Sequence, residues 1–104
     1  MKFTMEKFHE IYDSICKGIK PSFEEFLFFV EGYGEVEFYY DYDKYSIDRC
    51  KRDNVSTKYE LWNERTGQMM KAYNSLDEFA RRANIKGMLL CDIWKDIYDV
   101  NGLD

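Results

Sequence analysis

Apolar residues recur at steps of three and four near the start of the chain. Phe8, Ile11, Tyr12, Ile15 and Ile19 therefore share one face of a helix. Thr4 is placed to cap that helix, and Gly18 with Pro21 to end it. Ser22-Phe23-Glu24-Glu25 is a capping box that opens a second helix. Its apolar face is Phe23, Phe26, Leu27 and Val30, broadened by Phe28 and Phe29, and Gly32 and Gly34 close it. From Glu35 the period changes to two. Val36, Phe38, Tyr40 and Tyr42 alternate with Glu35, Glu37, Tyr39 and Asp41, the pattern of a half-buried strand.

Asp43-Lys44 can turn the chain into a second strand, Tyr45 to Cys50. Arg52-Asp53-Asn54 reads as a polar turn, followed by a third strand from Thr57 to Asn63. Arg65-Thr66-Gly67 is a hairpin loop, and Gln68 to Tyr73 returns as a fourth strand. Each connection is too short for a crossover helix, so the strands predict an antiparallel meander. Ser75 to Glu78 is another capping box, opening a short helix with Leu76, Phe79, Ala80 and Ala83 inward. Leu89, Leu90, Ile93, Trp94 and Ile97 predict a last helix, with a frayed tail from Asn101. The fold class is α+β: a four-stranded antiparallel meander with two N-terminal and two C-terminal helices packed on it.

Length allows one domain, 1–104. The formal net charge is −5, with 20 acidic against 15 basic residues, which argues against a general nucleic-acid binder. The longest apolar run, Phe26 to Val30, is far below the roughly 20 residues of a membrane span. No segment reads as a targeting signal, so the expectation is a cytoplasmic protein with no membrane contact. The three cysteines, Cys16, Cys50 and Cys91, are odd in number and far apart. They are expected to be reduced and largely buried.

Catalytic signatures are missing. The single histidine, His9, has no local partner for nucleophilic or acid–base work. No CxxC or HxxxH spacing offers a metal site, and Asp41-Tyr42-Asp43 lacks the Gly and terminal Glu of a calcium loop. No cofactor motif is present, and Gly32-Tyr33-Gly34 is a helix exit. The expectation is a protein that is not an enzyme.

Acid and tyrosine coincide between residues 33 and 48. Glu35, Glu37, Asp41, Asp43 and Asp48 face a single base, Lys44, among Tyr33, Tyr39, Tyr40, Tyr42 and Tyr45. Along one strand face, Glu35, Glu37, Tyr39 and Asp41 would stand about 6.5 to 7 Å apart, a row that imitates phosphate spacing. Tyrosine adds rigid contact area. The plainer reading is a charged edge strand protected from aggregation. Trp62 lies opposite Tyr59 and Leu61 in the alternation and is a hot-spot candidate. The partner-binding set is Glu35, Glu37, Tyr39, Asp41, Tyr42, Asp43, Tyr45 and Trp62, facing a basic protein.

From Tyr59-Glu60-Leu61-Trp62, through Ser75-Leu76-Asp77-Glu78-Phe79, to Ile85-Lys86-Gly87 and Ile93-Trp94, the chain resembles small bacterial immunity proteins of polymorphic-toxin and contact-dependent inhibition systems. The resemblance covers about the last 40 residues and carries no site residue. It implies a small acidic cytosolic protein that binds and blocks a toxin nuclease. The alternatives are a phage-encoded nucleic-acid mimic that inhibits a defence nuclease, and a small enzyme using His9 with nearby carboxylates.

Overall fold

The computed structural model describes residues 4–51 and 56–103. The elements run α1 (Met5–Cys16), α2 (Phe23–Tyr33), β1 (Glu35–Tyr40), β2 (Asp43–Cys50), β3 (Lys58–Asn63), β4 (Gln68–Tyr73), α3 (Leu76–Arg82), β5 (Asn84–Ile85), β6 (Met88–Leu89), α4 (Leu90–Ile93), a 3₁₀ turn (Trp94–Asp96) and β7 (Tyr98–Gly102). The fold is α+β, as the alternating and helical periods predict.

The helix starts follow from local chemistry. Thr4 Oγ1 accepts from the Lys7 amide at 3.2 Å. Ser22 and Glu25 form the reciprocal box, each side chain accepting the other's backbone N–H at 3.1 and 3.0 Å. That backbone donor is the main reason the Glu25 carboxyl is held below the usual range. At Ser75 the box is looser: Glu78 reaches back to the Asn74 amide instead. Helix α1 stops at Cys16, so Ile19 is left 58% exposed rather than on the apolar stripe. Gly32 lies inside α2, where an added Cβ would meet the Phe8 ring at 2.6 Å, and Gly34 at φ 99° is the cap.

The main sheet has five strands in the order β4-β3-β2-β1-β7, all paired antiparallel. The predicted meander is its first four strands in chain order. The fifth overturns the long last helix and the frayed tail: α4 is one turn, and residues from Tyr98 pair with β1. Two interactions explain the break. Lys20 Nζ donates to the carbonyls of Trp94, Lys95 and Ile97 at 2.8, 3.1 and 3.0 Å, satisfying groups that a longer helix would bond internally. The other side of β1 also needs a partner for its backbone, and the stretch around Ile97 and Val100 suits a strand. Gly102 fits there because a Cβ would strike the Tyr33 ring. Pairing on both sides makes β1 an interior strand, which removes the reading of it as a charged edge.

A second correction concerns the first hairpin. The turn is Asp41-Tyr42, not Asp43-Lys44. Both residues have positive φ, 51° and 68°, as a two-residue type I′ connection requires. The polar turn expected at Arg52-Asp53-Asn54 lies outside the described residues.

One face of the sheet presents Val36, Phe38, Tyr45, Ile47, Tyr59, Leu61 and Tyr73 to the core. Ile11, Ile15, Phe26, Phe29, Val30, Phe79, Leu90, Ile93 and Trp94 from the helical segments complete it. Trp94 sits against Phe26 with ring centroids 4.6 Å apart and donates from Nε1 to the Pro21 carbonyl at 3.0 Å. The cysteines do not join this core: Cys16 and Cys91 are exposed and Cys50 is half-buried, which corrects the expectation of buried thiols. Cys16 lies just past Ile15, off the Ile11–Ile15 stripe, and Cys91 lies between the inward residues Leu90 and Ile93.

Candidate functional site

Residues that alternate with the core positions stand on the opposite face. Glu35, Glu37 and Tyr39 come from β1, Ser46, Asp48 and Cys50 from β2, and Lys58, Glu60 and Trp62 from β3. Cross-strand register brings them together: Glu35 opposite Asp48, Ser46 opposite Trp62, and Asp48 opposite Glu60. Two polar residues are buried on this side, Ser46 at 4% and Glu60 at 3% exposure. Each therefore has to be satisfied by a neighbour. The Ser46 hydroxyl donates to a Glu64 carboxylate oxygen, and Glu60 accepts from the Trp62 indole N–H at 3.2 Å.

Between these side chains lies a groove of about 130 Å³ lined by Glu35, Ser46, Asp48, Trp62, Glu64 and Leu103. Among the described residues, no Lys or Arg makes an ion pair with Glu35 or Glu64. The groove is thus an acidic depression with one aromatic wall.

The residues expected to bind a partner divide into four groups. Glu35 and Trp62 line the groove. Glu37, Asp41 and Asp43 are matched by the chain's own cations. Lys44 Nζ lies 2.5 Å from Glu37, Lys86 Nζ 2.6 Å from Asp41, and Arg65 Nε 2.7 Å from Asp43. The hydrogen bond to Glu37 holds the Lys44 ammonium above the ordinary lysine range, and Asp41 does the same to Lys86. Tyr39 is half-buried and stacks on Tyr98 at 5.7 Å, while Tyr42 is 93% exposed at the hairpin tip. Tyr45 stands by itself. It is 2% exposed, stacked on Phe38 at 5.8 Å, and cannot touch a partner. Burial pushes its phenol up. The turn at Asp41-Tyr42 explains this, because it sets Tyr45 opposite Phe38 on the core face. The same turn breaks the predicted carboxylate row: Asp41 leaves the strand, and Glu37 is already paired.

Sequence reasoning passed over Ser46 and Glu64 and left Asp48 out of the contact set. Their signal was the alternation itself, since Ser46 and Asp48 share one parity on β2, and Trp62 and Glu64 share one beyond β3. Register also gathers donors that sequence spacing hides. Ligand atoms of Asp48, Cys50 and Glu60 lie within 4.8 Å of one another. That is three donors, one short of the four that a closed zinc site takes. His9 is exposed on α1, its ring edge-on to Phe8 at 5.9 Å.

Comparison with family models, with curated proteins and with solved structures finds no match. No helix among the described residues is long and apolar enough to cross a membrane.

Proposed function

We propose that this chain is a non-enzymatic acidic binding protein that neutralises a basic protein partner, as an immunity protein does to a toxin nuclease. The observation that carries the reading is the groove, where Glu35 and Glu64 flank Trp62 without an ion-paired cation from the described chain. Carboxylates that form no ion pair among the described residues, beside a half-buried indole, suit a cationic protein, because charge complementarity speeds encounter and aromatics anchor contact. The net charge of −5 adds long-range attraction. A nucleic-acid mimic would need a regular row of free carboxylates, and that row is interrupted at Glu37 and Asp41.

The test is retention followed by inhibition. The tagged chain is offered to cytosol of its host and of competing strains at low salt. A basic protein is retained, elutes as salt rises, and has a nuclease activity that one equivalent of the chain abolishes. Retention of acidic proteins only, or of a basic enzyme whose activity the chain leaves intact, would contradict the proposal.

A further inference from the structure

We infer that β7 is a strap that opens from β1 and closes on it as one unit, with the Lys20 ammonium as its latch. Strands β1 to β4 pair in chain order through short connections, whereas β7 returns to β1 only after α3, the β5–β6 hairpin and α4. It is five residues long and has a strand neighbour on one side only. Its ladder is interrupted: the register slips between Glu37 and Tyr39, and Asp99 takes φ 51°, in the left-handed region. Where the strap meets the α1–α2 connection there is a cavity of about 50 Å³, lined by Gly18, Ile19 and Lys20 on one side and by Asp99, Val100 and Asn101 on the other. Ile97 and Val100 are its buried apolar anchors. A short edge element held by so few groups opens at lower free energy than the interior of the sheet.

Lys20 spans that seam. An ammonium has three protons, and Nζ donates to three carbonyls, those of Trp94, Lys95 and Ile97, while lying 5.8 Å from the Trp94 ring centroid. Ile97 is the residue that leads into β7, so the strap leaves β1 only by pulling on a bond to a charged donor. The far end of the strap reaches the groove. The Leu103 amide donates to the Glu35 carbonyl at 2.9 Å, and Leu103 lines the groove beside Glu35. Closing the strap therefore completes one wall of the groove. The bearing of that wall on a partner rests on the function proposed above; the strap and its latch stand without it.

The experiment is amide hydrogen exchange on the whole folded chain, followed by NMR at several low urea concentrations. In the wild type, the hydrogen-bonded amides from Ile97 to Leu103 should share one opening free energy and one urea slope, both smaller than those of the β2–β3 ladder. Lys20→Met should lower that shared protection at least about tenfold, the scale of one hydrogen bond from a charged donor. Leu61→Ala is the control. Leu61 is buried on β3, separated from β7 by β2 and β1. Its loss should lower protection of the β2–β3 ladder at least about thirtyfold and leave that of the strap unchanged, because its contacts break only on global unfolding. Protection that falls residue by residue toward Leu103 is plain end fraying and would overturn the unit. Strap amides as protected as the β2–β3 ladder would overturn the strap, and strap protection unchanged in Lys20→Met would overturn the latch. No partner enters these measurements. A strap that opens as described in a chain that neutralises no basic protein refutes the function alone, and a chain that neutralises one with β7 never opening refutes the strap alone.

Discussion

The hairpin tip and the groove are both acidic, yet they differ in what the fold does with the charge. At the tip, Asp41, Asp43 and Glu37 each meet a lysine or arginine of the same chain. In the groove, Glu35 and Glu64 form no close ion pair among the described residues, although Lys44 feels the charge of Glu64, and Glu64 is oriented by a neutral hydroxyl. On the proposed reading, the acids that the fold does not pair are the ones offered to a partner. Lys86 makes the difference at the tip. It belongs to the β5–β6 turn, where it takes φ 56°, and it reaches both Asp41 and Asp43.

The largest expected effect separates a core tyrosine from a contact tyrosine. Tyr45→Ala should cost about 3 to 5 kcal/mol, the scale of emptying an aromatic core position. Urea denaturation checks this, and a variant as stable as wild type would return Tyr45 to the surface and the tip to the interface.

The core face of the sheet has its own signature at high pH. Burial, and then the hydrogen bond to Glu31, push the Tyr59 phenol up to about 12. In the unfolded chain the proton leaves near pH 10, so the folded state holds it to higher pH. That contribution is complete below about pH 10 and is lost as pH rises toward 12. The urea midpoint should fall through that window, and Tyr59→Phe should flatten the fall. Identical profiles for the two proteins would detach Tyr59 from it.

At the tip, Tyr42 holds a left-handed conformation that disfavours a side chain by about 1 to 2 kcal/mol. Tyr42→Gly should therefore stabilise the fold by up to about 1 kcal/mol after the entropy of glycine is subtracted. Thermal unfolding reads it. Smaller still, Lys86→Ala should cost under about 1 kcal/mol, because the ion pairs it breaks are exposed, and the loss should vanish in high salt. It should also free Asp41 enough for cationic peptides to perturb the tip amides by NMR, which they leave untouched in the wild type.

What was legible in the sequence was local. Ser22 with Glu25 announces α2, and alternation from Val36 to Leu61 announces the meander, because both depend on neighbours a few residues apart. The β7 strand was hidden. Leu90, Ile93, Trp94 and Ile97 fit a helical stripe, and only Lys20, from 74 residues away, and the unpaired side of β1 decide against it. The groove was half legible. Glu35 and Trp62 stood out as an acid and a hot-spot candidate, but Asp48 and Glu64 join them only once the β1–β2–β3 register is known. Tyr45 was misread because it was counted with the acid–tyrosine run as surface, although it shares the parity of Ile47 on β2 and so the core face.

The most direct test removes equal charge from the two acidic regions. Glu35→Gln/Glu64→Gln and Asp41→Asn/Asp43→Asn each delete two carboxylates, so long-range attraction changes equally. Affinity for the retained basic protein is measured at one low salt concentration for both. Losing a desolvated charge pair is worth 2 kcal/mol or more, so the groove variant should bind at least about thirtyfold more weakly, and the tip variant within about threefold of wild type. A tip variant that loses affinity while the groove variant keeps it would contradict the account.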